Sequence, residues 1–310
     1  MSTPHAHPHS ASISPRILLL ACALTLAFVA LEAIAGLFAH SLALISDAGH
    51  NFADALSLLL AYGAAKIAQS PSTPTRSFGY HRATILAALV NALTLVLISL
   101  FIFWEAYRRL GATETVNSHL MIAVAFVALV LNGAITFFLR NSKEDLNARS
   151  AYVHMLGDAL ASVGVIIGGF IILFTSIYWI DSLVSVVIGI FILHSSWGVL
   201  REATDVLLEA APKGLSMNAV ESIIKTIPGT LAVHDLHVWT ISSGMLACSC
   251  HVTVSRKTVE DGQQIVKQIV QVLKDQLHIG HTTIQIEVEG CEPDELYCAP
   301  RTTDRSITFS

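Results

Sequence analysis

The chain has 310 residues, 53% of them hydrophobic and only 13% charged, with a mean hydropathy of +0.62. Soluble proteins carry roughly 25% charged residues, so this composition excludes an ordinary soluble domain and indicates a polytopic membrane protein. A net charge of -5 argues against nucleic acid as partner, and five cysteines without framework spacing imply no disulfides and a reducing environment around the soluble part.

Residues 1–15 are polar and lack the basic, apolar and small-residue succession of a signal peptide, so they are expected to be a retained tail. Within it, His5, His7 and His9 form a short tract that is either a tail with incidental metal affinity or a metal-capture segment. Six apolar runs follow, at Ile17–Phe38, Leu42–Ala65, Ala83–Phe103, His119–Leu139, Ala151–Phe174 and Tyr178–Leu200. Each exceeds the roughly 20 residues needed to cross a bilayer. One set of flanks holds Arg16, Lys66, Arg76, Arg82, Arg140, Lys143, Arg149, Arg201 and Lys213, and the other holds only Arg108 and Arg109. The positive-inside rule then puts both termini in the cytoplasm.

The second run is interrupted by Ser46-Asp47-Ala48-Gly49-His50-Asn51-Phe52-Ala53-Asp54. At about 100° per helical residue, Asp47, His50 and Asp54 share one face. An Asp near the middle of a spanning helix costs about 2.5–3.5 kcal/mol, so something must offset it. The fifth run repeats the pattern as His154-Met155-Leu156-Gly157-Asp158. Two His-x-x-x-Asp pairs supply two imidazoles and two carboxylates, a tetrahedral shell for a zinc-type divalent metal. Three crossings separate the two runs, so the helices run antiparallel and each half of the membrane region contributes one pair. Glu32, Asn91 and Asn132 read as interhelical hydrogen-bonding residues. Asp47 reads as a cap or vestibule residue, and Asp181 as interfacial. Gly133, Gly157, Gly164, Gly168 and Gly169 suit close helix packing.

Beyond Arg201 the composition changes. Ser216–Ile227 reads as a helix capped by Ser216 and closed by Pro228-Gly229. Leu231–Ile241 and Met245–Val254 alternate as strands around a Ser-Ser-Gly turn, Val259–His278 is an amphipathic helix, and Thr282–Glu289 is a third strand. The order α-β-β-α-β fits a ferredoxin-like α+β domain with helices on one face of an antiparallel sheet. Strand parity puts Cys248, Cys250, Val252 and Val254 on the core face with Ile284, Ile286 and Val288. His251 points away, and His281, Gln285 and Glu287 share the polar face. His234 lies at the mouth of the first strand. These histidines with Glu287 are candidates for a second metal site, the competing reading being a solvated sheet face. The tail Cys291 to Cys298 lacks the spacing of a C-x-x-C zinc motif. The expected division is therefore a tail (1–15), a six-helix transmembrane domain (16–204), a metal-binding αββαβ domain (205–290) and a C-terminal tail (291–310).

These features resemble the cation diffusion facilitator family in its zinc-transporting, bacterial zinc/cadmium/cobalt efflux branch. The resemblance rests on six spans, the His50…Asp54 and His154…Asp158 pairs, Phe78-Gly79-Tyr80-His81-Arg82, and a C-terminal domain whose first strand begins Val233-His234-Asp235-Leu236. It implies a homodimer in a bacterial inner membrane, exporting divalent metal from the cytoplasm by proton antiport. It also implies zinc as substrate and regulatory ligand, with transport ligands His50, Asp54, His154 and Asp158. His81 would belong to an interfacial site, completed in some members by the residue matching His251. His234, His251 and Glu287 would be ligands in the cytoplasmic domain. The loop Asn141–Ser150 lacks the His-rich insertion of many eukaryotic members.

Emptied of metal, the four-ligand site would leave two like charges close together and two imidazoles free to take protons. Metal and proton would compete for one set of atoms, which alternating access turns into exchange. Imidazole favours zinc, with cadmium and cobalt as secondary substrates, over manganese or magnesium. A membrane metalloenzyme would need an open coordination position and a base outside the shell, and the sequence offers neither, so no enzyme is expected. A membrane-anchored metal sensor or scaffold without a transport cycle is the alternative, but it leaves the cost of Asp54 and Asp158 unexplained.

Overall fold

A computed structural model of the chain describes residues 15–110, 114–140, 146–255 and 258–288. The histidine tract at His5, His7 and His9, Lys143 and the Cys291 to Cys298 tail lie outside the described residues. The chain divides into two compact units, Met1–Gly63 with Ala87–Leu200, and Ala64–Leu86 with Arg201–Ser310.

Six long helices run in order: α1 (Pro15–Ala39), α2 (Leu42–Ala68), α3 (Ala83–Leu110), α4 (Ser118–Leu139), α5 (Leu146–Thr175) and α6 (Trp179–Leu207). Four of them, α3 to α6, are individually long and apolar enough to cross a membrane. The polar stripe of α2 sets it apart from these four. Several helices outrun their apolar segments: α3 continues through Glu105, Arg108 and Arg109, and α5 begins five residues before Ala151. The apolar run measures hydrocarbon thickness, about 30 Å. A helix of 28 residues reaches about 42 Å and carries its polar ends into the interface.

Large apolar side chains such as Leu97, Phe101, Phe138, Phe174 and Phe191 face outward, while the interior of the first unit combines small ones, Ala39, Ala43, Ala53 and Ala125, with larger ones such as Leu44, Ile102 and Met121. Lipid replaces water outside, so close backbone approach rather than hydrophobic sorting holds such helices together. A methyl at Gly168 would meet Val184 at 2.9 Å, and one at Gly169 would meet Ile122 at 2.6 Å. Gly133, Gly157 and Gly164 face open space instead, so the close-packing expectation fails for them.

The start of α2 is fixed by another helix. Asp181, at the start of α6, accepts from Ser41 Oγ at 2.6 Å, from Leu42 N at 2.5 Å and from Ala43 N at 3.3 Å. It is therefore a buried cap on the N-terminus of α2. Asp47, expected as a cap or vestibule group, lies five residues inside α2 and is buried.

The C-terminal part contains α7 (Met217–Lys225), β1 (Thr230–Ser242), β2 (Met245–Val254), α8 (Val259–Leu277) and β3 (Ile279–Glu287). Ser216 stands at the N-cap of α7 but makes no capping bond, whereas Thr258 and Asp261 form a reciprocal capping box on α8. The sheet order is β1-β2-β3, with β1 antiparallel to β2 and β2 parallel to β3. The expectation of an antiparallel sheet is corrected on this point. A parallel neighbour requires a crossover, and α8 supplies it between β2 and β3. Val220 and Ile224 of α7 and Ile265, Ile269 and Leu273 of α8 share one core with Val233, Leu236, Val238, Cys248, Cys250 and Val252. Val288, expected in that core, is exposed because the strand has ended at Glu287.

Strand β1 does not alternate evenly. Val233 and Leu236 both face the core although three positions apart, and the register with β2 shifts between His234 and His237. Asp235 takes φ +50°, in the left-handed region that Asp tolerates better than most residues. This bulge sets two consecutive residues, Asp235 and Leu236, against the single β2 position Cys250 between the His234–His251 and His237–Ser249 pairs.

Candidate metal centres

Helical spacing creates the first centre. His50 and Asp54 are one turn apart on α2, as His154 and Asp158 are on α5, and the two pairs face each other. His50 Nε2 lies 3.4 Å from Asp54 Oδ2 and 3.5 Å from Asp158 Oδ1. His154 Nε2 lies 3.2 Å from Asp54 Oδ2 and 3.7 Å from Asp158 Oδ2. The imidazoles meet edge to face at 5.8 Å between centroids. A tetrahedral zinc with N and O ligands near 2.0–2.1 Å has ligand–ligand edges of about 3.3 Å. The four nitrogen–oxygen separations scatter around that edge. Asp54 Oδ2 is buried and accepts no hydrogen bond despite two nitrogens within 3.4 Å. Donor atoms that crowd together in this way could hold a shared cation. His154 is the most exposed of the four, at 43% of its side chain, and Asp158 the least, at 7%.

The second centre is built by strand pairing. His234 and His251 are direct cross-strand partners on β1 and β2, and Glu287 on β3 pairs with Thr253 on β2. His234 Nε2 approaches Glu287 Oε2 at 3.1 Å, and His251 Nδ1 approaches Glu287 Oε1 at 3.1 Å. The two rings are 5.3 Å apart, edge to face. His234 Nε2 and His251 Nδ1 are buried and make no hydrogen bond. His234 is fully buried rather than at a strand mouth. Asp235, which the residue pattern alone did not single out, brings Oδ2 to 3.7 Å from His251 Nε2 through the bulge. The break in phase between Val233 and Leu236 is the sequence signal that marks it. Both groups of atoms, His50/Asp54/His154 and His234/His251/Glu287, lie within 4.8 Å of one another.

His81 joins neither cluster among the described residues. His281 stands apart too, its ring edge-on to Phe78 at 5.5 Å between centroids. Cys248 and Cys250 are buried free thiols. The hydrogen bond that the Cys248 thiol donates to Cys250, together with burial, holds Cys248 above the ordinary cysteine range, the behaviour of a core side chain rather than a thiolate ligand. Glu32 makes the expected interhelical bond, accepting from Asn51 at 3.0 Å. Among the described residues Asn91 makes none, its Oδ1 lying buried without a partner.

A helical membrane unit around a His2Asp2 cluster, joined to an α+β domain carrying a second histidine–carboxylate cluster, defines a class of metal-handling membrane proteins. The chain belongs to the cation efflux family, also called the cation diffusion facilitators. Residues 18–208 match the cation efflux transmembrane domain and residues 212–289 the cation efflux protein cytoplasmic domain. Members of this family are metal transporters, not enzymes. The chain is 38% identical over 293 residues to the cation efflux system protein CzcD of Alcaligenes sp. strain CT14, covering 94% of this chain and 92% of that protein. It is 36% identical over 299 residues to the zinc transporter ZitB of Escherichia coli, covering 94% and 95%. It is 34% identical over 303 residues to a cadmium, cobalt and zinc/H(+)-K(+) antiporter of Bacillus velezensis, covering 96% of each chain. Among solved structures, the metal-bound C-terminal domain of the CzcD transporter from Cupriavidus metallidurans matches at 32% identity and a TM-score of 0.22, covering 24% of this chain and all of that one.

Proposed function

We propose that the protein exports zinc from the cytoplasm in exchange for protons, with cadmium or cobalt as further substrates, through His50, Asp54, His154 and Asp158. The observation that carries this reading is the match between the 3.2–3.7 Å nitrogen–oxygen separations and the edge of a tetrahedral N2O2 zinc site. Two neutral imidazoles and two carboxylates balance one divalent cation, so the loaded site carries no net charge in a poorly solvated place. The names of the relatives, which include zinc, cadmium and cobalt, point the same way. Imidazole excludes a preference for manganese or magnesium. Protons refill the ligands when the metal leaves, and alternating exposure of the site turns that competition into antiport.

His234, His251 and Glu287 are assigned to a regulatory zinc site, within a homodimer held in a bacterial inner membrane with both termini cytoplasmic. His81 is assigned to a site completed only in the dimer, since it has no partner ligand within the described residues. Zinc flux into proteoliposomes under an imposed pH gradient tests the whole reading. Zinc uptake that rises with the gradient and collapses when it is dissipated is the expected result. Zinc binding without any flux would leave the sensor or scaffold reading in its place.

A further inference from the structure

Glu32 on α1 and Asp47 on α2 are more deeply buried than any of the four ligands, at 0% and 2% exposed. Asn51 Nδ2 donates to Glu32 Oε2 at 3.0 Å, while Glu32 Oε1 is buried without a donor. The carboxyl of Asp47 lies within hydrogen-bonding reach of that of Glu32. Ionised carboxylates only accept, so a hydrogen bond between these two needs a proton on one of them. The groups that face Glu32 are Asn51 and Asp47 from α2 and Asp158 from α5. Those that face Asp47 are Glu32 from α1, His50 from its own helix and Asp158 from α5. Among the described residues no lysine or arginine acts on either carboxyl. Two adjacent buried negative charges without a cation are costly; one proton halves that charge and supplies the missing donor.

We propose that Glu32 and Asp47 form a proton-binding dyad beside the His2Asp2 site, which gives up its proton when a divalent cation occupies that site. The proposal rests on the exchange reading above and adds a proton carrier that is not itself a metal ligand. Asp158 is the electrostatic link, since it acts on both carboxyls and belongs to the ligand set. A dication at that set cancels its negative charge, which removes the repulsion that keeps the proton on the dyad where screening is weak, and the dyad proton leaves for solvent. Linkage makes the coupling reciprocal, so a protonated dyad weakens metal binding.

The test uses full-length protein in detergent, weakly buffered near neutral pH with an indicator dye, titrated with zinc. Glu32→Gln is expected to bind zinc with wild-type stoichiometry and to release about one proton fewer per zinc, and Glu32→Asp to restore the release. In wild-type protein, infrared difference spectra should lose the carbonyl stretch of a protonated carboxylic acid on zinc addition, and Asp47→Asn should alter that band. Unchanged proton release in Glu32→Gln overturns the dyad while leaving exchange intact. A wild-type protein that binds zinc and releases no proton overturns the exchange reading itself. Loss of zinc binding in both variants, or absence of the infrared band, overturns the assignment. So does an effect of Glu32→Gln seen only in potassium and not in choline, which would make the pair a monovalent metal site.

Discussion

The two histidine–carboxylate clusters reach similar donor separations by different routes. In the membrane unit, one helical turn sets each His–Asp pair, and two such pairs bring four candidate ligands together. In the C-terminal unit, strand pairing and a bulge converge two imidazoles on one glutamate, with Asp235 at the margin. The first set cancels the charge of a divalent ion. The second leaves it one positive charge in excess unless Asp235 or a further ligand takes part. Cargo crossing a membrane calls for the neutral, complete shell, since every uncompensated charge there is costly. A sensing site benefits from the incomplete one, because a free coordination position can be filled from another surface.

Asp158→Ala should widen that difference most. It removes the least exposed ligand and leaves a buried positive excess, a loss of about 3–5 kcal/mol in metal binding at the site. Zinc flux in proteoliposomes should vanish while size-exclusion profiles and the zinc bound by the C-terminal cluster persist. Near-normal flux would remove the membrane cluster from the transport path.

His50→Asp should come next, since it changes which ion is carried. Three carboxylates and one imidazole form a harder shell, so the zinc-to-manganese flux ratio should drop roughly tenfold or more. An unchanged ratio would move selectivity out of this cluster.

His251→Ala breaks the other member of the pair. Calorimetry on the full-length protein should lose one class of zinc sites, with flux reduced only severalfold. If flux is abolished as fully as by Asp158→Ala, the two clusters are not functionally distinct.

The smallest expected effect is on stability. Asp181→Ala orphans Ser41 Oγ and the amides of Leu42 and Ala43, and should cost about 1–3 kcal/mol, read as a fall in thermal midpoint. Saturating zinc should recover part of that fall, because the metal ties α2 to α5. No recovery would mean that the cap and the cluster act independently.

The legibility of the two clusters differs for physical reasons. His50, Asp54, His154 and Asp158 were readable because one helical turn has a fixed spacing, and because carboxylates in an apolar run demand a partner. His251 and Glu287 followed from strand parity. His234's burial and Asp235's approach did not, since both depend on a bulge whose only trace is the shifted phase between Val233 and Leu236. Burial of Cys248 and Cys250 followed from the same parity that turned His251 away. The parallel pairing of β3 was hidden because the element order α-β-β-α-β does not fix which way the last strand runs. Asp181 capping α2 was hidden most completely, joining residues 140 apart in sequence. Gly133, Gly157 and Gly164 misled because residue type does not say whether another helix lies opposite.

The Asp181 cap has a mechanical consequence for any cycle that opens the metal site first to one side and then to the other. One carboxylate holds a hydroxyl and two amides at the first turn of the helix that carries His50 and Asp54. Sliding α2 along α6 at this end would break all three bonds at once and strand each group in a buried place, whereas tilting about the end leaves them intact. The start of α2 is thus a pivot. Asp54 lies twelve residues from it, about 18 Å along the axis, so a tilt of 10° would displace that ligand by about 3 Å, close to one edge of the tetrahedron it helps to form.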